Sequence, residues 1–565
     1  MEKRNLFKGF WTLFKAYWTS EEKWRAIGLL AVVIGLNLAM VWFLVQINQW
    51  YNEFYKGLQE YQADSFWYLV GQFSGLAFCY IIIAVYAVYL RQLLQIRWRT
   101  WMTRQYLDSW MRGQTYYHLQ SSTDNPDQRI SEDINSFVSL TLQLIIGFLR
   151  QITTLVAFSF VLWELSGEFK FEIGGDEFVI YGYMFWFSLI YSGVGTILVH
   201  KVGRKLIGLE FDQQKYEADF RFSMMRVREN AESIAFYRGE NAELEGFSAR
   251  FKNVIENFRR LMTKTKHLNF YVNGYSQAAV IVPLILAAPR YFSKQIDLGG
   301  LMQTISAFGR VQDALSYFID AYSTIASLAA VINRLAGFTE HVNEVQSVKS
   351  NVEKSSAPAL TISNLNVSLP TGRNLLNQLS LTLENSKSLL VTGASGCGKS
   401  TLLRTLAGIW AYASGKISLP ENSRVMFLPQ KPYLPLGSLR RALIYPLAEK
   451  DAPPDSKLCE ILMTVDLPHL TEKLDAVEDW SRILSIGEQQ RLAFARVLLT
   501  APDYIFLDEA TSALDEPREL EMYQLLKKQL PRLTIISVGH RSTLFQVHDT
   551  ELNLDGTGNW QVREV

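Results

Sequence analysis

The stretch GASGCGKST, residues 393–401, joins glycines, a lysine and hydroxyls in an order suited to gripping phosphate. Gly393, Gly396 and Gly398 let the backbone curl so that its N–H groups converge on phosphate oxygens. Lys399 reaches the outer oxygens, and the Ser400 hydroxyl can ligate Mg²⁺, with Ser395 and Thr401 in the same cradle. An apolar run, SLLVT, precedes the cradle and an amphipathic pattern, TLLRTLAGI, follows it. YIFLDEATSALD supplies a second apolar run that ends at Asp508, placed to hold the magnesium shell, with Glu509 beside it to orient or deprotonate an attacking water. His540, in IISVGHR, ends a third apolar run and points toward the same phosphates. Gln430, in FLPQKPYLPLGSLR, is placed to touch both metal and water. A further turn, LSIGEQQRLAFAR at 484–496, holds Ser485, Gly487 and Glu488 at the start of a helix. Backbone N–H groups left open there, with the helix dipole behind them, make a second anion site. One nucleotide does not need two such cradles in one chain.

Positioning these residues calls for an α/β domain, and from residue 359 the chain does alternate short Leu-rich and β-branched strands with helical patterns. Residues 340–358, EHVNEVQSVKSNVEKSSAP, are polar and Ser-rich and read as a linker. The region before them, 1–339, has another character. Residues 27–47, 66–90, 178–199 and 268–289 carry no charge, and each is long enough to cross about 30 Å of hydrocarbon as a helix. Two further candidates, 137–163 with Arg150 and 300–333 with Arg310, Asp313 and Asp320, bring the expected count to six transmembrane helices. Arg91, Arg97, Arg99, Arg104 and Arg112 follow the second span, and Lys201, Arg204 and Lys205 follow the fourth, so both connections read as cytoplasmic. The third-to-fourth connection, with Glu164, Glu168, Glu172, Asp176 and Glu177 against Lys170, reads as external. An even number of spans then leaves both termini and the phosphate-binding domain in the cytosol.

The opening MEKRNLFKGFWTLFKAYW mixes cations with aromatics at helical spacing and reads as an interfacial amphipathic helix. A net charge of +1 with no basic block gives no sign of nucleic-acid binding. Cys79, Cys397 and Cys459 are too scattered for a disulfide framework or a zinc site.

The order GASGCGKST, Gln430, LSIGEQQR, LDEATSALD and His540 resembles the nucleotide-binding domain of ABC transporters. That resemblance implies an α/β ATPase domain over 359–565 that uses ATP and Mg²⁺, with an α-helical membrane domain before it. It also implies that the signature helix of one subunit closes over the ATP held by the phosphate loop of another, which accounts for the second cradle and calls for a homodimer. Lys399, Gln430, Glu509 and His540 take the catalytic roles, Ser400, Gln430 and Asp508 the metal, and Asp515 communication between the two sites. NPDQRISEDI, 125–134, and RENAESIAFYRGE, 228–240, are similar to segments shared by the peroxisomal fatty-acyl transporters of ABC subfamily D and the SbmA/BacA-like uptake proteins of bacteria. The likeness is greatest to fused bacterial members, some of which import cobalamin and other hydrophilic solutes across the inner membrane. In one respect the chain departs from the family: LTISNLNVSLPTGRNLL, upstream of the phosphate loop, offers no aromatic to stack on adenine.

The cargo is suggested by the sixth span. Gln303, Ser306, Arg310, Asp313, Tyr317, Asp320 and Thr324 recur at spacings of three and four, along one face of a helix. Facing lipid, each charge would cost several kcal/mol, so the face is expected to line a wet cavity, unless Arg310 and Asp313 pair with each other. A wet cavity suits a hydrophilic small molecule or peptide. Export of lipid or acyl chains, and a membrane-anchored regulatory ATPase, are the alternatives.

Overall fold

The computed structural model describes residues 6–119, 125–173, 176–347 and 351–565. The side chains of 169–173, 176–178, 196, 199, 200, 202–205, 207, 318–320, 322 and 323 lie outside the description. Two compact units result, one of residues 1–111 and 123–341, the other of 112–122 and 342–565.

The first unit is built from long helices: α1 (Leu6–Trp18), α2 (Lys23–Gln59), α3 (Ala63–Met111), α4 (Ile134–Ser166), α5 (Tyr183–Glu229), a short α6 (Ala231–Tyr237), α7 (Glu240–Phe292) and α8 (Leu298–Ser347). Among the described residues, four stretches are long and apolar enough to cross a membrane: Lys23–Gln59, Ala63–His118, Pro126–Ser166 and Glu240–Phe292. Their outward faces carry Val32, Trp42, Phe78, Ile81, Val85 and Tyr89, all exposed. A water-facing helix would place polar groups there; a lipid-facing one places these. Helix α1 buries Leu13 and Tyr17, with Tyr17 stacked on Trp98 at 5.4 Å between ring centroids. Its other side shows Leu6, Phe7 and Trp11 to the surroundings.

Between α4 and α5 the backbone forms an antiparallel hairpin, β1 (Glu168–Ile173) with β2 (Asp176–Tyr181). The uncharged run at 178–199 therefore begins as strand and becomes helical only at Tyr183. At the base of α4, residues Arg129–Asp133 form a widened π-turn, and the Asp133 carboxylate is 4% exposed. It accepts from Arg129 Nη1 at 2.8 Å and from the Arg334 fork at 2.9 and 2.6 Å, which ties α4 to α8.

The second unit contains the nucleotide-binding architecture. With β3 (Asn351–Ser356), β4 (Leu360–Ser368), β5 (Asn374–Leu383), β6 (Ser388–Gly393), β7 (Ala413–Leu419), β8 (Val425–Leu428), β9 (Tyr504–Asp508), β10 (Thr534–Val538), β11 (Thr550–Leu554) and β12 (Trp560–Glu564), the strands form two main sheets. Their orders are β12-β11-β6-β10-β9-β8 and β3-β7-β4-β5. In the larger sheet β6, β8, β9, β10 and β11 run parallel and only β12 is antiparallel. Strands β6, β9 and β10 are buried along almost their whole length, as expected of central strands covered on both faces.

Residues 340–358, expected as a linker, carry regular structure on both sides of 348–350, which lie outside the described residues. Helix α8 continues to Ser347, and Asn351–Ser356 pairs in parallel with β7. The side chains of this edge strand are mostly exposed, so the backbone ladder holds it and no apolar alternation marks it in the sequence.

Candidate functional site: the nucleotide cradle and its second half

Adjacent parallel strands β6, β10 and β9 end side by side, and the chemistry-bearing residues follow their carboxyl ends. This is where open α/β sheets bind ligands, because loops diverge there and helix N-termini converge. After β6 comes the phosphate loop, with Gly393, Gly396 and Gly398 at φ of +139°, +80° and +108°. A Cβ at Gly393 would meet the Leu554 carbonyl oxygen at 2.4 Å, so close backbone approach as well as dihedral angle demands glycine there. Helix α9 (Lys399–Leu406) starts at the loop's end. Lys399 Nζ folds back and donates to the carbonyls of Gly393 at 2.7 Å and Ala394 at 3.1 Å, which holds an ammonium over the cradle. Ser395 is exposed on the loop, and Thr401 is half-buried in the helix's first turn.

The Ser400 hydroxyl donates to Asp508 Oδ1 at 2.9 Å across the gap from α9 to the end of β9. Hydroxyl and carboxylate are hard oxygen donors of the kind Mg²⁺ takes. Among the described residues no cluster of three or more His, Cys, Asp or Glu could hold a metal alone. That suits an ion shared with nucleotide phosphates, which needs only one or two protein ligands. Glu509 adopts φ +47°, and Gln430 Nε2 donates to its Oε2 at 3.1 Å. Gln430 and Glu509 thus form one hydrogen-bonded pair. His540 follows Gly539 at the end of β10 and is exposed on the same edge.

The second cradle begins helix α10 (Ile486–Thr500). Ser485 is its N-cap in a full capping box: the hydroxyl accepts from Glu488 N at 3.3 Å and donates to Glu488 Oε2 at 2.8 Å, while Ser485 N donates to the same carboxylate oxygen at 2.9 Å. The Ser485 N–H is therefore engaged, contrary to the expectation that it stands open. The open donors are the backbone N–H groups of the helix's first turn, Ile486 and Gly487. Burial raises the Glu488 carboxyl, but the two bonds from Ser485, with His469 and Arg491 nearby, outweigh it and hold the group below its ordinary value. Glu488 is thus an anion at neutral pH, locked to the cap. Gly487 lies against the Ala513 carbonyl, which a Cβ would meet at 3.4 Å. Asp515 caps helix α11 (Glu516–Gln529) by accepting from Arg518 N at 3.0 Å.

The two cradles rest on different cores. Leu402 and Leu403, behind the phosphate loop, pack with β4–β6 residues, whereas Leu492 and Ala495 of α10 pack with Leu439, Leu443 and Leu462. Among the described residues no hydrogen bond or ion pair joins 485–488 to 393–401.

No aromatic from the β4–β5 segment lies over the phosphate loop; the side chain nearest Gly398 is Leu375. Buried polar residues on α10 escaped the sequence reading. Arg496 donates to the carbonyls of Ala442 at 2.9 and 2.6 Å and Tyr433 at 2.8 Å, and burial lowers its pKa to about 10. Gln490 is wholly buried. A charged residue on an otherwise apolar helix face was the available signal for Arg496.

In the first unit the polar face of α8 divides. Gln303, expected to face a wet cavity, is buried and pinned: Asn52 Nδ2 donates to its Oε1 at 2.6 Å and Asn48 Nδ2 to its carbonyl at 3.1 Å. Tyr317 lies over Gly147 of α4, where a Cβ would come within 2.2 Å of its hydroxyl. Arg310 is half-buried and Asp313 exposed, and among the described residues no ion pair within 4.0 Å joins them. The Asp320 side chain lies outside the described residues.

A helical unit with apolar outer faces, followed by a parallel sheet that presents a phosphate loop and an acidic pair, defines an ATP-driven membrane transporter. Residues 13–292 match the family "ABC transporter transmembrane region 2" and residues 376–512 the family "ABC transporter". The chain is 39% identical to an "Uncharacterized ABC transporter ATP-binding protein" of Haemophilus influenzae over 98% of this chain and 93% of the relative. It is 35% identical to the "Inner membrane ABC transporter ATP-binding protein YddA" of Escherichia coli over 97% of both. With the human "Lysosomal cobalamin transporter ABCD4" it shares 30% identity over 84% of this chain and 82% of the relative. The chain belongs to the ABC transporter family: it joins a multi-pass membrane region to an ABC ATPase domain that binds ATP.

Proposed function

We propose that the protein is a homodimeric importer of hydrophilic solutes, of the size and polarity of corrinoids or short peptides, in a bacterial inner membrane. Six helices span the bilayer, both termini and the ATPase domain are cytosolic, and each ATP lies between the phosphate loop of one copy and the signature turn of the other. Membrane domain, connecting segment and ATPase domain follow the divisions 1–339, 340–358 and 359–565.

Lys399 and the loop N–H groups neutralise phosphate charge, and Ser400, Asp508 and Gln430 would hold Mg²⁺, which supplies further neutralisation when bound. Glu509 positions and deprotonates the attacking water, with His540 at the γ-phosphate. The Gly487 turn of the partner closes the site and Asp515 links the two sites. Closure of this sandwich drives the membrane helices, and hydrolysis resets them. Hydrophilic cargo is supported chiefly by one observation: Asp313 stands exposed on a helix of the membrane unit. Such a carboxylate is too costly against lipid and suits a wet pathway. Arg310, Tyr317 and Asp320 continue that pathway. The human relative, a lysosomal cobalamin transporter by name, points the same way.

The test is accumulation of labelled cobalamin, a short cationic peptide and a fatty-acyl probe in sealed vesicles of known orientation on addition of Mg·ATP, with E509Q as the control. Import of a hydrophilic probe that E509Q abolishes is expected. Movement of the acyl probe alone would contradict the cargo assignment.

A further inference from the structure

Gln490, the seventh residue of the segment LSIGEQQR, is wholly buried, yet every polar atom of its side chain is engaged. Its Nε2 donates to the main-chain carbonyl of Gln430 at 3.0 Å and to Ser512 Oγ at 3.3 Å; its Oε1 accepts from Ala513 N at 3.0 Å. One amide therefore ties three segments together: the signature helix, the loop that carries Gln430, and the turn that follows Glu509. That turn is closely coupled to the carboxylate, since Ser512 N donates to the Glu509 carbonyl at 3.0 Å. It is gripped from the opposite side by Arg541, the neighbour of His540, which donates to the carbonyls of Leu514 at 2.6 Å and Ser512 at 2.9 Å. Buried Glu519 anchors this second grip by accepting from Thr511 Oγ1 and Thr543 Oγ1, both at 2.5 Å.

We propose that Gln490 is a positioning residue that couples the two ATP sites, carrying the state of the signature turn to Gln430 and Glu509 of the same chain. The inference rests on the assignment of those groups under the proposed function. In the dimer, the signature turn serves the partner's nucleotide while Gln430 and Glu509 serve the chain's own. Gln490 lies one helical turn from Gly487, so a shift of α10 as phosphate docks on its N-terminus is delivered through a short, dry, fully bonded amide. It reaches the Gln430 carbonyl and the Ser512–Ala513 backbone. A buried amide with both ends satisfied is stiff in this role, because breaking any of its bonds strands a buried polar group. Each copy's water-activating carboxylate is thereby set in place when the other copy's ATP is bound.

The experiment measures ATP turnover by the full-length protein in lipid nanodiscs, against ATP concentration, for the native chain, Q490M, Q490E and E509Q. Methionine keeps the volume and removes all three bonds; glutamate keeps the shape and the acceptor for Ala513 N–H but loses the donors. Q490M is expected to lower kcat about tenfold or more while KM for ATP stays within about twofold, with Q490E intermediate. A role in packing alone predicts instead that turnover falls only in proportion to the loss of folded protein, as read by thermal unfolding, and that result overturns the proposal. So does a Q490M kcat within about twofold of the native value. If Q490M fails to fold, Q490E carries the same test. The E509Q control separates the two readings: full turnover by E509Q sinks the site assignment itself, whereas loss in E509Q with none in Q490M sinks only the coupling role.

Discussion

The nucleotide unit and the membrane unit use polar residues in opposite ways. In the first, nearly every chemistry-bearing side chain is already held by a neighbour: Lys399 on its own loop, Ser400 on Asp508, Gln430 on Glu509, Ser485 on Glu488. In the second, polar side chains either are locked into the framework, as Asp133 and Gln303 are, or stand open to the surroundings, as Asp313 does beside half-buried Arg310. Preorganisation suits a reaction whose substrate never changes. Accessible charge suits a pathway that exchanges cargo for water. The contrast also explains why ATP chemistry can be read from this chain in detail while cargo can be read only as a class.

The largest effect should come from E509Q: turnover lower by about 10²–10³-fold, with nucleotide binding retained, as measured by steady-state hydrolysis and a fluorescent ATP analogue. Normal turnover would show that the hydrogen-bonded Gln430–Glu509 pair is not the water-activating group.

Next is Asp133→Asn, which gives the mostly buried Arg129 and the more accessible Arg334 a neutral amide in place of their carboxylate. A loss of about 2–3 kcal/mol, seen as a lowered unfolding temperature in detergent, is expected. A neutral result would mean that this carboxylate is not part of the membrane unit's framework.

A pH effect follows from His548 in the nucleotide unit, which is buried against Leu544 and Ser537. Burial lowers its pKa from 6.5 to about 4. As pH falls, the unfolded chain takes up the proton first. The stability is therefore complete above about pH 6.5 and is lost progressively toward pH 4, by about 2–3 kcal/mol in all. Denaturant unfolding at several pH values should show this slope, and His548→Gln should flatten it.

The smallest effect belongs to exposed Asp313: Asp313→Asn should lower uptake of a cationic probe about five- to tenfold, on the scale of one lost charge contact in a solvated pathway. Undiminished uptake would place Asp313 outside the pathway.

The phosphate loop, the acidic pair and the terminal histidine were legible in the sequence because phosphate chemistry restricts residue type and spacing, and because apolar runs announce the strands that carry them. Gln490 was not legible. A second glutamine on a helix looks solvent-facing until the Gln430 loop and the Ser512–Leu514 turn are folded over it, and both are distant in sequence. Gln303 shows the same limit in the other direction, since helical spacing assigns it to a face but cannot name the asparagines of α2 that occupy its polar groups. The edge strand at 351–356 escaped notice because backbone pairing, and not side-chain pattern, holds it.

The central claim is that each ATP pocket takes its phosphate loop from one molecule and its signature turn from another. Mixed dimers, purified through two different tags, test it most directly by ATP turnover. If K399A is in one subunit and G487D in the other, shared pockets leave one intact site and turnover that is measurable though lowered by the lost coupling through Gln490, whereas K399A and G487D together in one subunit beside a native partner leave none. The reverse pattern, with turnover only when both substitutions sit in the same chain, would mean that each molecule builds its pocket alone.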